Sequence, residues 1–552
     1  MNILGISCYF HDAAAALLRD GVLVAAAEEE RFSRKKHDSG FPANAIEFCL
    51  RKAGIAARDL DCVVFYEKPF RKFERLLISV LQTWPRSRTL FREAAVAWLG
   101  DKLWIKDRIR SHLQIPASRI LFSEHHLSHA ASAFYCSPFE EAAILTVDGV
   151  GEWATTLLAA GRGTEIRPIR EIRFPHSLGL LYSAFTAYLG FEVNEGEYKV
   201  MGLAAYGKSV HGDRVRKLLR IAGDGSFELD LDYFDFHESA TQMYNRRFEA
   251  LFGRPDADLA ASVQAVTEEA LLALVRELHR ETGLSRLCLA GGVALNCVAN
   301  SRIMREGPFR EVWVQPAAGD SGGALGAALY AAHAALGAPR RWHMLHTFWG
   351  DEPTAEEIEL AAPGALRLDE DCLLERTAEL LEAGAVVGWL QGRFEWGPRA
   401  LGNRSILADP RRAGMTDALN LKVKGREPFR PFAPSVVRED CDRWFDVPAA
   451  GLDAARFMTC VAGVRPSGQS RIPAVTHVDG TARIQIVTPD ANPRYHRLIE
   501  AFGRRTGVPV LLNTSFNRAG EPIVNTPAEA VAAWSASGMD ALVMGDSLLL
   551  RK

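Results

Sequence analysis

Residues 123–156 read SEHHLSHAASAFYCSPFEEAAILTVDGVGEWATT, and the reading of this stretch decides the fold. His125 and His129 stand four residues apart, so a helix sets both imidazoles on one face, one turn from each other. The apolar run Ala142 to Val147 then ends in Asp148-Gly149-Val150-Gly151, a buried strand running into a glycine turn with a carboxylate at its tip. Two imidazoles on a helix beside a strand-end carboxylate are what a divalent metal requires. One core histidine and one surface histidine is the alternative that this stretch alone leaves open.

Downstream, the pattern predicts a strand over 153–160, a turn at 161–163 and a polar outer strand over 165–172. The N-terminus follows the same plan: a strand over 2–7, the turn Tyr9-Phe10-His11-Asp12, a strand over 13–18, the hairpin signal Asp20-Gly21 and a strand over 22–27. A strand–turn–strand–turn–strand unit thus occurs twice, about 140 residues apart. Duplicated units of this kind resemble the ribonuclease-H-like halves of the actin/hexokinase ATPase superfold, in which a nucleotide lies in the cleft between halves at the first turns. Further glycine-rich segments fit that cleft. Gly196 to Gly207 (GEYKVMGLAAYG) reads as an apolar loop carrying Lys199 and Gly202. A short strand over 287–289 enters Ala290-Gly291-Gly292-Val293-Ala294-Leu295-Asn296, and a strand over 312–314 enters Gly319-Asp320-Ser321-Gly322-Gly323, with Asp320 a second strand-end carboxylate. The nucleotide contacts expected here are Gly149, Gly151, Glu152, Lys199, Gly202, Gly291, Gly292, Asn296 and Gly319.

Between the repeats, the run Glu28 to His37 (EEERFSRKKH) predicts a solvated loop, and 43–53 a helix. The basic stretch 71–110 predicts helices whose cations are the wet face and whose Leu, Val and Trp residues pack inward. A long helix is expected over 261–282. Proline, glycine and charge at 337–344 mark a domain boundary, giving domains 1–345 and 346–552. The second domain opens with a helix over 372–383 and a strand over 385–390. From Arg393 to Arg430 there are nine basic and four acidic residues, many beside Gly or Pro, which points to Arg forks converging on a phosphate or carbamate. Arg483 falls on a strand over 481–487, a strand over 508–512 leads into the polar exit Asn513 to Arg518, Thr526-Pro527-Ala528-Glu529 is a capping box, and the final strand is 541–544.

Composition bounds the function. A chain of 552 residues needs two or three cores, and 48% hydrophobic with 24% charged residues is ordinary for an enzyme. The net charge of −3 argues against a dedicated nucleic-acid or membrane-surface protein. Nine scattered cysteines without a C-x-x-C pair indicate neither a disulfide framework nor a cysteine zinc site, and a reduced, cytoplasmic compartment is expected. No run approaches 18 apolar residues, and the chain begins on a strand rather than a signal peptide.

Taken together, the His11-Asp12-Ala13-Ala14-Ala15 turn, HHLSH, DGVGEW, YKVMGLAAYG, AGGVALN, AAGDSGGALGAA, EWGPRALGNRSIL, KGREPFRPFAPSV and NTSFNRAGEPIV span nearly the whole sequence. They resemble the O-carbamoyltransferases of antibiotic and nodulation-factor biosynthesis, the group acting on tobramycin, cephamycin and related acceptors. The resemblance implies an α/β protein with an actin-like, threonylcarbamoyltransferase-type N-terminal domain and a YrdC-like C-terminal domain, a twisted α/β sheet. The C-terminal domain would make carbamoyladenylate from carbamoyl phosphate and ATP, with Mg2+ accompanying the ATP. The N-terminal domain would pass the carbamoyl group to a hydroxyl of a small-molecule acceptor. Residue by residue, the resemblance makes His125, His129, Asp148 and Asp320 ligands of a divalent metal, usually Fe2+, and the same set admits Mn2+ or Zn2+. It makes His11 the acceptor of the hydroxyl proton and Lys36 a lysine near the reactive centre. It makes Arg399, Lys424, Arg430, Arg483, Asn513 and Arg518 the carbamoyl-phosphate and ATP contacts. No nucleic-acid or membrane partner is expected, and a homo-oligomer is compatible. Two rivals share parts of the pattern: a tRNA threonylcarbamoyl enzyme, which calls for a broad basic surface, and a non-catalytic actin-like ATPase regulator, which has no need of the Arg-rich C-terminal cluster.

Overall fold

The computed structural model describes residues 1–100 and 102–551. The chain divides into two compact units: Met1–Ala25 with Ser39–His343, and Ala26–Asp38 with Met344–Lys552.

The first unit contains both repeats except the end of the third strand, from Ala26 on. Strands β1 (Asn2–Ser7), β2 (Ala14–Arg19), β3 (Val22–Glu28), β4 (Cys62–Phe65) and β5 (Ile120–Phe122) form a sheet in the order β3-β2-β1-β4-β5. Strands β6 (Glu141–Val147), β7 (Ala154–Arg162) and β8 (Glu165–Arg173) are followed by a small separate hairpin, β9 (Leu219–Ile221) with β10 (Phe227–Leu229), and then by β11 (Arg286–Ala290) and β12 (Glu311–Val314). The second sheet runs β12-β11-β6-β7-β8. In each sheet the first strand of the repeat pairs antiparallel with the next strand in sequence and parallel with a strand reached by a helical crossover: β1 with β2 and β4, β6 with β7 and β11. The identical order is that of duplicated ribonuclease-H-like halves. Both central strands are apolar along their length because each is covered on both faces.

The helix Asp320–Tyr330 packs on β1 and β2 and against the helix His125–Phe134. Its small residues permit this. A Cβ on Gly326 would lie 1.8 Å from the carbonyl oxygen of Ser128, and one on Gly5 would lie 1.8 Å from that of Ala324. Gly326→Ala is therefore expected to push the two helices apart and lower stability by about 1–3 kcal/mol, read as the shift of the denaturant midpoint. The long helix Ala257–Thr282 starts where the Asp256 carboxylate accepts the Leu259 N–H and stops at Gly283, whose φ of 64° is left-handed.

In the second unit β13 (Leu366–Arg367), β14 (Val387–Leu390), β15 (Arg404–Ala408), β16 (Ala433–Val437), the short β17 (Phe445–Asp446), β18 (Ala462–Val464) and β19 (Thr481–Ala482), then β20 (Gln485–Val487), β21 (Val510–Ser515), β22 (Ala541–Met544) and β23 (Ser547–Leu550) follow in chain order. Eight of them form one mixed sheet, β13-β23-β22-β14-β15-β21-β16-β20, while β17-β18-β19 make a separate three-stranded sheet. The helices Glu370–Ala383 and Pro493–Thr506 pack together, and their Leu373, Leu381, Tyr495, Leu498 and Phe502 share a core with Val387, Trp389, Leu407 and Leu511 of the large sheet.

Several expectations are corrected. Segment 196–207 is not a loop: Glu197–Ala204 is a helix packed on Ala257–Thr282, because good helix formers outweigh the single interior Gly202. The 481–487 strand is broken at Arg483-Ile484, and its halves belong to different sheets. The sheet does not end at Met544, since β23 turns back on β22. In the helices after β4 most cations, Arg71, Arg86, Arg88, Arg92, Lys106, Arg108 and Arg110, are exposed and Val80, Trp98, Leu103 and Leu113 are buried, as expected, but Lys72 and Arg75 are buried and Leu81, Trp84, Val96 and Trp104 exposed. Thr526 does cap the helix Pro527–Ser535, but the Glu529 carboxylate turns to the Asn525 N–H and to Arg34 rather than closing a capping box. Among the described residues no helix is long and apolar enough to cross a membrane.

The run 28–37 departs furthest from its expectation. Glu28, Glu29 and Arg31 are buried, and 26–38 groups with the second unit. Glu28 Oε1 accepts the Gly397 N–H at 2.7 Å, and Arg31 Nη2 donates to the Gly397 carbonyl at 2.8 Å. Arg34 donates to the carbonyls of Ile523 and Pro522 at 2.7 and 2.8 Å. Part of a run dense in charge is buried here because Glu28, Arg31 and Arg34 each find a partner more than 360 residues away in sequence.

Candidate functional site

In the first unit, four predicted residues converge. His125 and His129 open the helix His125–Phe134 and are 1% and 0% exposed. Their Nε2 atoms are 3.2 Å apart. Asp148 Oδ2, at the exit of β6, lies 3.1 and 2.9 Å from them. Asp320 Oδ1, at the first position of its helix, lies 3.7 and 3.5 Å from the same two nitrogens. One ligand atom from each residue can be chosen so that all four lie within 4.8 Å of one another. Donors bound tetrahedrally at roughly 2.0–2.1 Å are about 3.3 Å apart, so this buried set of two imidazoles and two carboxylates fits a divalent metal. Its electrostatics point the same way. Burial alone would lower the His125 imidazole, but Asp320, Asp148 and Glu67 push it up to about 10. The cavity is short of positive charge, which a dication supplies. His126, the remaining histidine of the motif, is a core residue: its Nδ1 lies 2.7 Å from Thr146 Oγ1, and burial holds it neutral.

The glycines expected to cradle a nucleotide lie around this cluster. Gly149 donates its N–H to Asp148 Oδ1 at 2.7 Å. A Cβ on Gly151 would lie 3.0 Å from His125, and one on Gly292 would lie 3.0 Å from Asp148 Oδ1. Gly291, at a φ of +89°, lets the exit of β11 pass within 2.3 Å, Cβ position to oxygen, of Val147. Gly319 precedes Asp320 as the cap of its helix. Glu152 is spent on backbone: it accepts the N–H groups of His125 and Lys68. Asn296 caps the helix Cys297–Glu306 and exchanges hydrogen bonds with Gln264. Lys199 and Gly202 lie on the helix Glu197–Ala204, with the Lys199 ammonium over the Phe191 ring.

His11 lies in the turn between β1 and β2, in a loop whose Tyr9 and Asp12 both adopt positive φ. Its Nδ1 is 2.9 Å from Asp12 Oδ2, and its side chain is 23% exposed. Burial lowers its pKa, but the bond to Asp12 and the fields of Asp320 and Asp148 raise it to about 9.

The second unit sorts its nine cations. Arg404 is buried and holds the carbonyls of Gln391, Gly392 and Asn403. Arg393 holds those of Gly350 and Trp349, and Arg411 forks onto Asp409. The expected convergence of the whole cluster therefore gives way to a structural role for several members. Lys424 differs. Its ammonium is buried among neutral oxygens, with Asn517 Oδ1 at 2.7 Å, Asn517 O at 3.1 Å, Ser515 Oγ at 3.2 Å and the Ser515 carbonyl also accepting. Burial, and then Arg426 and Arg430, pull its pKa well below the usual lysine range. Arg430 is 21% exposed, 3.5 Å from Glu427. Arg399 is half-buried just after Gly397-Pro398. Arg518 is 51% exposed beside Glu521. Asn513 is inside the sheet, bonded to Ala400, Ser435 and Gln485, and Arg483 sits at the break between β19 and β20. Lys36 lies half-buried in the 26–38 segment of this unit.

Sequence reasoning missed Tyr66 and Glu67, which touch the four-residue cluster. The available signal was the apolar run Cys62 to Phe65 ending in a carboxylate, the same strand-exit pattern that marks Asp148.

Comparison with known proteins matches residues 2–329 to the family model described as the carbamoyltransferase N-terminus, and residues 378–551 to the one described as the carbamoyltransferase C-terminus. An uncharacterized protein of Synechocystis is 48% identical over 100% of this chain and 97% of its own. The nodulation protein NolNO of Sinorhizobium fredii is 42% identical over 99% of this chain and 79% of its own. The 3'-hydroxymethylcephem-O-carbamoyltransferase of Amycolatopsis lactamdurans is 32% identical over 77% of this chain and 79% of its own.

Proposed function

The chain belongs to the carbamoyltransferase family, and on that premise we propose an ATP-dependent O-carbamoyltransferase acting on a hydroxyl of a natural-product or sugar acceptor, with one half-reaction in each unit. The observation that carries this reading is Lys424: a buried amine ringed by neutral oxygens and flanked by Arg426 and Arg430, in the unit matched by the C-terminal family model. Such a pocket suits a polyanion, whose charge supplies what the protein leaves out.

In the second unit, carbamoyl phosphate gives up phosphate to water, leaving carbamate. The carbamate oxygen attacks the α-phosphorus of ATP and pyrophosphate leaves, giving carbamoyladenylate. Lys424, Arg399 and Arg430 would stabilise the charge building at phosphorus, with Arg483, Asn513 and Arg518 assigned to the same or the adjoining contacts and Lys36 kept as a lysine near the reactive centre. In the first unit, the acceptor hydroxyl attacks the carbamoyl carbon while His11 takes its proton at Nε2, the nitrogen not bonded to Asp12, and AMP departs. His125, His129, Asp148 and Asp320 would hold a divalent metal, iron, manganese or zinc, which when bound supplies Lewis acidity toward the adenylate phosphate.

Carbamoyl-phosphate-dependent pyrophosphate release from ATP, without acceptor or RNA, tests the reading, followed by a mass-spectrometric search for a carbamoylated product in a panel of hydroxylated metabolites. Absence of both would overturn it. Within it, Arg430→Ala is expected to slow pyrophosphate release by about 10- to 100-fold, the loss of one charge-assisted fork. Supplied carbamoyladenylate should restore product.

A further inference from the structure

Of the three residues that follow β4, Tyr66 and Glu67 touch the four-residue cluster and Lys68 reaches it through Glu152. The Tyr66 hydroxyl donates to Asp320 Oδ2 at 3.2 Å, which leaves Oδ1 facing the two imidazoles. Glu67 Oε2 lies 3.7 Å from His125 Nδ1, a buried nitrogen with no hydrogen-bond partner. The Lys68 N–H is accepted by Glu152 Oε1, and the same carboxylate accepts the backbone N–H of His125. The Tyr66 carbonyl in turn accepts the Ser128 hydroxyl, tying this strand exit to the helix that carries both histidines.

The chemistry of a ligating imidazole gives these contacts a purpose. Nε2 of His125 faces Asp148, Asp320 and His129, so to bind a metal it must be bare, and the ring proton then sits on Nδ1. Only a carboxylate, a carbonyl or water suits a buried N–H there, and the group that faces Nδ1 is Glu67. The same Oε2 accepts from the ammonium of the buried Lys72 at 2.6 Å, which fixes the Glu67 side chain in place. Resting on the metal reading of the cluster, we propose that Glu67, backed by Lys72, is the positioning residue that takes the Nδ1–H of His125, and that Tyr66 does the same for Asp320 through Oδ2. The exit of β4 is then the outer frame of the centre, setting the tautomer of one ligand and the aim of another.

The test uses the full-length protein and Co2+ alone, with affinity from chelator competition and the visible cobalt spectrum as a second readout. Glu67→Gln removes the charge and keeps the shape. Glu67→Leu with Lys72→Met replaces the buried ion pair by an apolar one, so no unpaired ammonium remains to unfold the protein. Both are expected to bind Co2+ about 10- to 100-fold more weakly than wild type, with a shifted spectrum and a folded circular dichroism signature. Tyr66→Phe should weaken binding in the same direction. The proposal is overturned if both Glu67 variants bind within twofold of wild type while His129→Ala loses the ion. If wild type binds no better than His129→Ala, the metal reading itself is wrong, and the role given to Glu67 goes with it.

Discussion

His11→Asn is expected to leave carbamoyl-phosphate-dependent pyrophosphate release near the wild-type rate while carbamoyl transfer falls by about 10²–10⁴-fold, the usual size of a general-base contribution. The expectation rests on place and environment. His11 belongs to the first unit, in the turn at the exit of β1, and Lys424 and Arg430 belong to the second. Asp12 grips Nδ1, so Nε2 is the nitrogen left to meet a substrate, and the positive φ of Tyr9 and Asp12 holds the turn in a shape that a free loop would rarely keep. With Asp148 and Asp320 neutralised by a bound dication, their share of the field that raises His11 is removed, which moves the imidazole back toward its base form. Parallel assays of pyrophosphate and of carbamoylated product decide the matter. An equal collapse of both in a folded variant would place both half-reactions at one site.

Arg31→Ala is expected to cost about 3–5 kcal/mol of stability and with it the adenylate-forming activity, because it leaves a buried carboxylate without its cation. Arg31 is 2% exposed, lies 3.5 Å from Glu28 and 3.6 Å from Glu30, and donates to the Gly397 carbonyl just ahead of Arg399. The same logic governs truncation. A fragment beginning at Met344 lacks the 26–38 segment, leaving the Gly397 N–H and the carbonyls of Pro522 and Ile523 without the partners that satisfy them in the whole chain. It should be insoluble or inactive in pyrophosphate release, and appending residues 26–38 through a flexible linker should recover activity. A stable, active fragment without that segment would mean that the clamp is dispensable.

Much of this protein is written locally. Strand and helix spans follow from apolar runs, hairpin dipeptides and caps, so β1 to β3 and β6 to β8 fall within a residue or two of their expected positions. The repeat of one plan in two places is itself a statement about sheet order, and both sheets adopt it. The shared helix face of His125 and His129 and the strand-exit place of Asp148 were legible for the same reason, whereas Asp320 opens the helix after β12 and was joined to them only by the family resemblance. Tertiary structure alone decided what the charges do. The sequence shows that Arg31, Arg404, Lys424 and Glu67 are ionisable, but whether an ionisable group is solvated, structural or available to a substrate depends on its burial and its partner. Those partners lie 366 residues away for Arg31 and about 90 for Lys424. A charge in water costs nothing to leave alone, whereas a buried one must be matched, and the matching is a property of the folded chain.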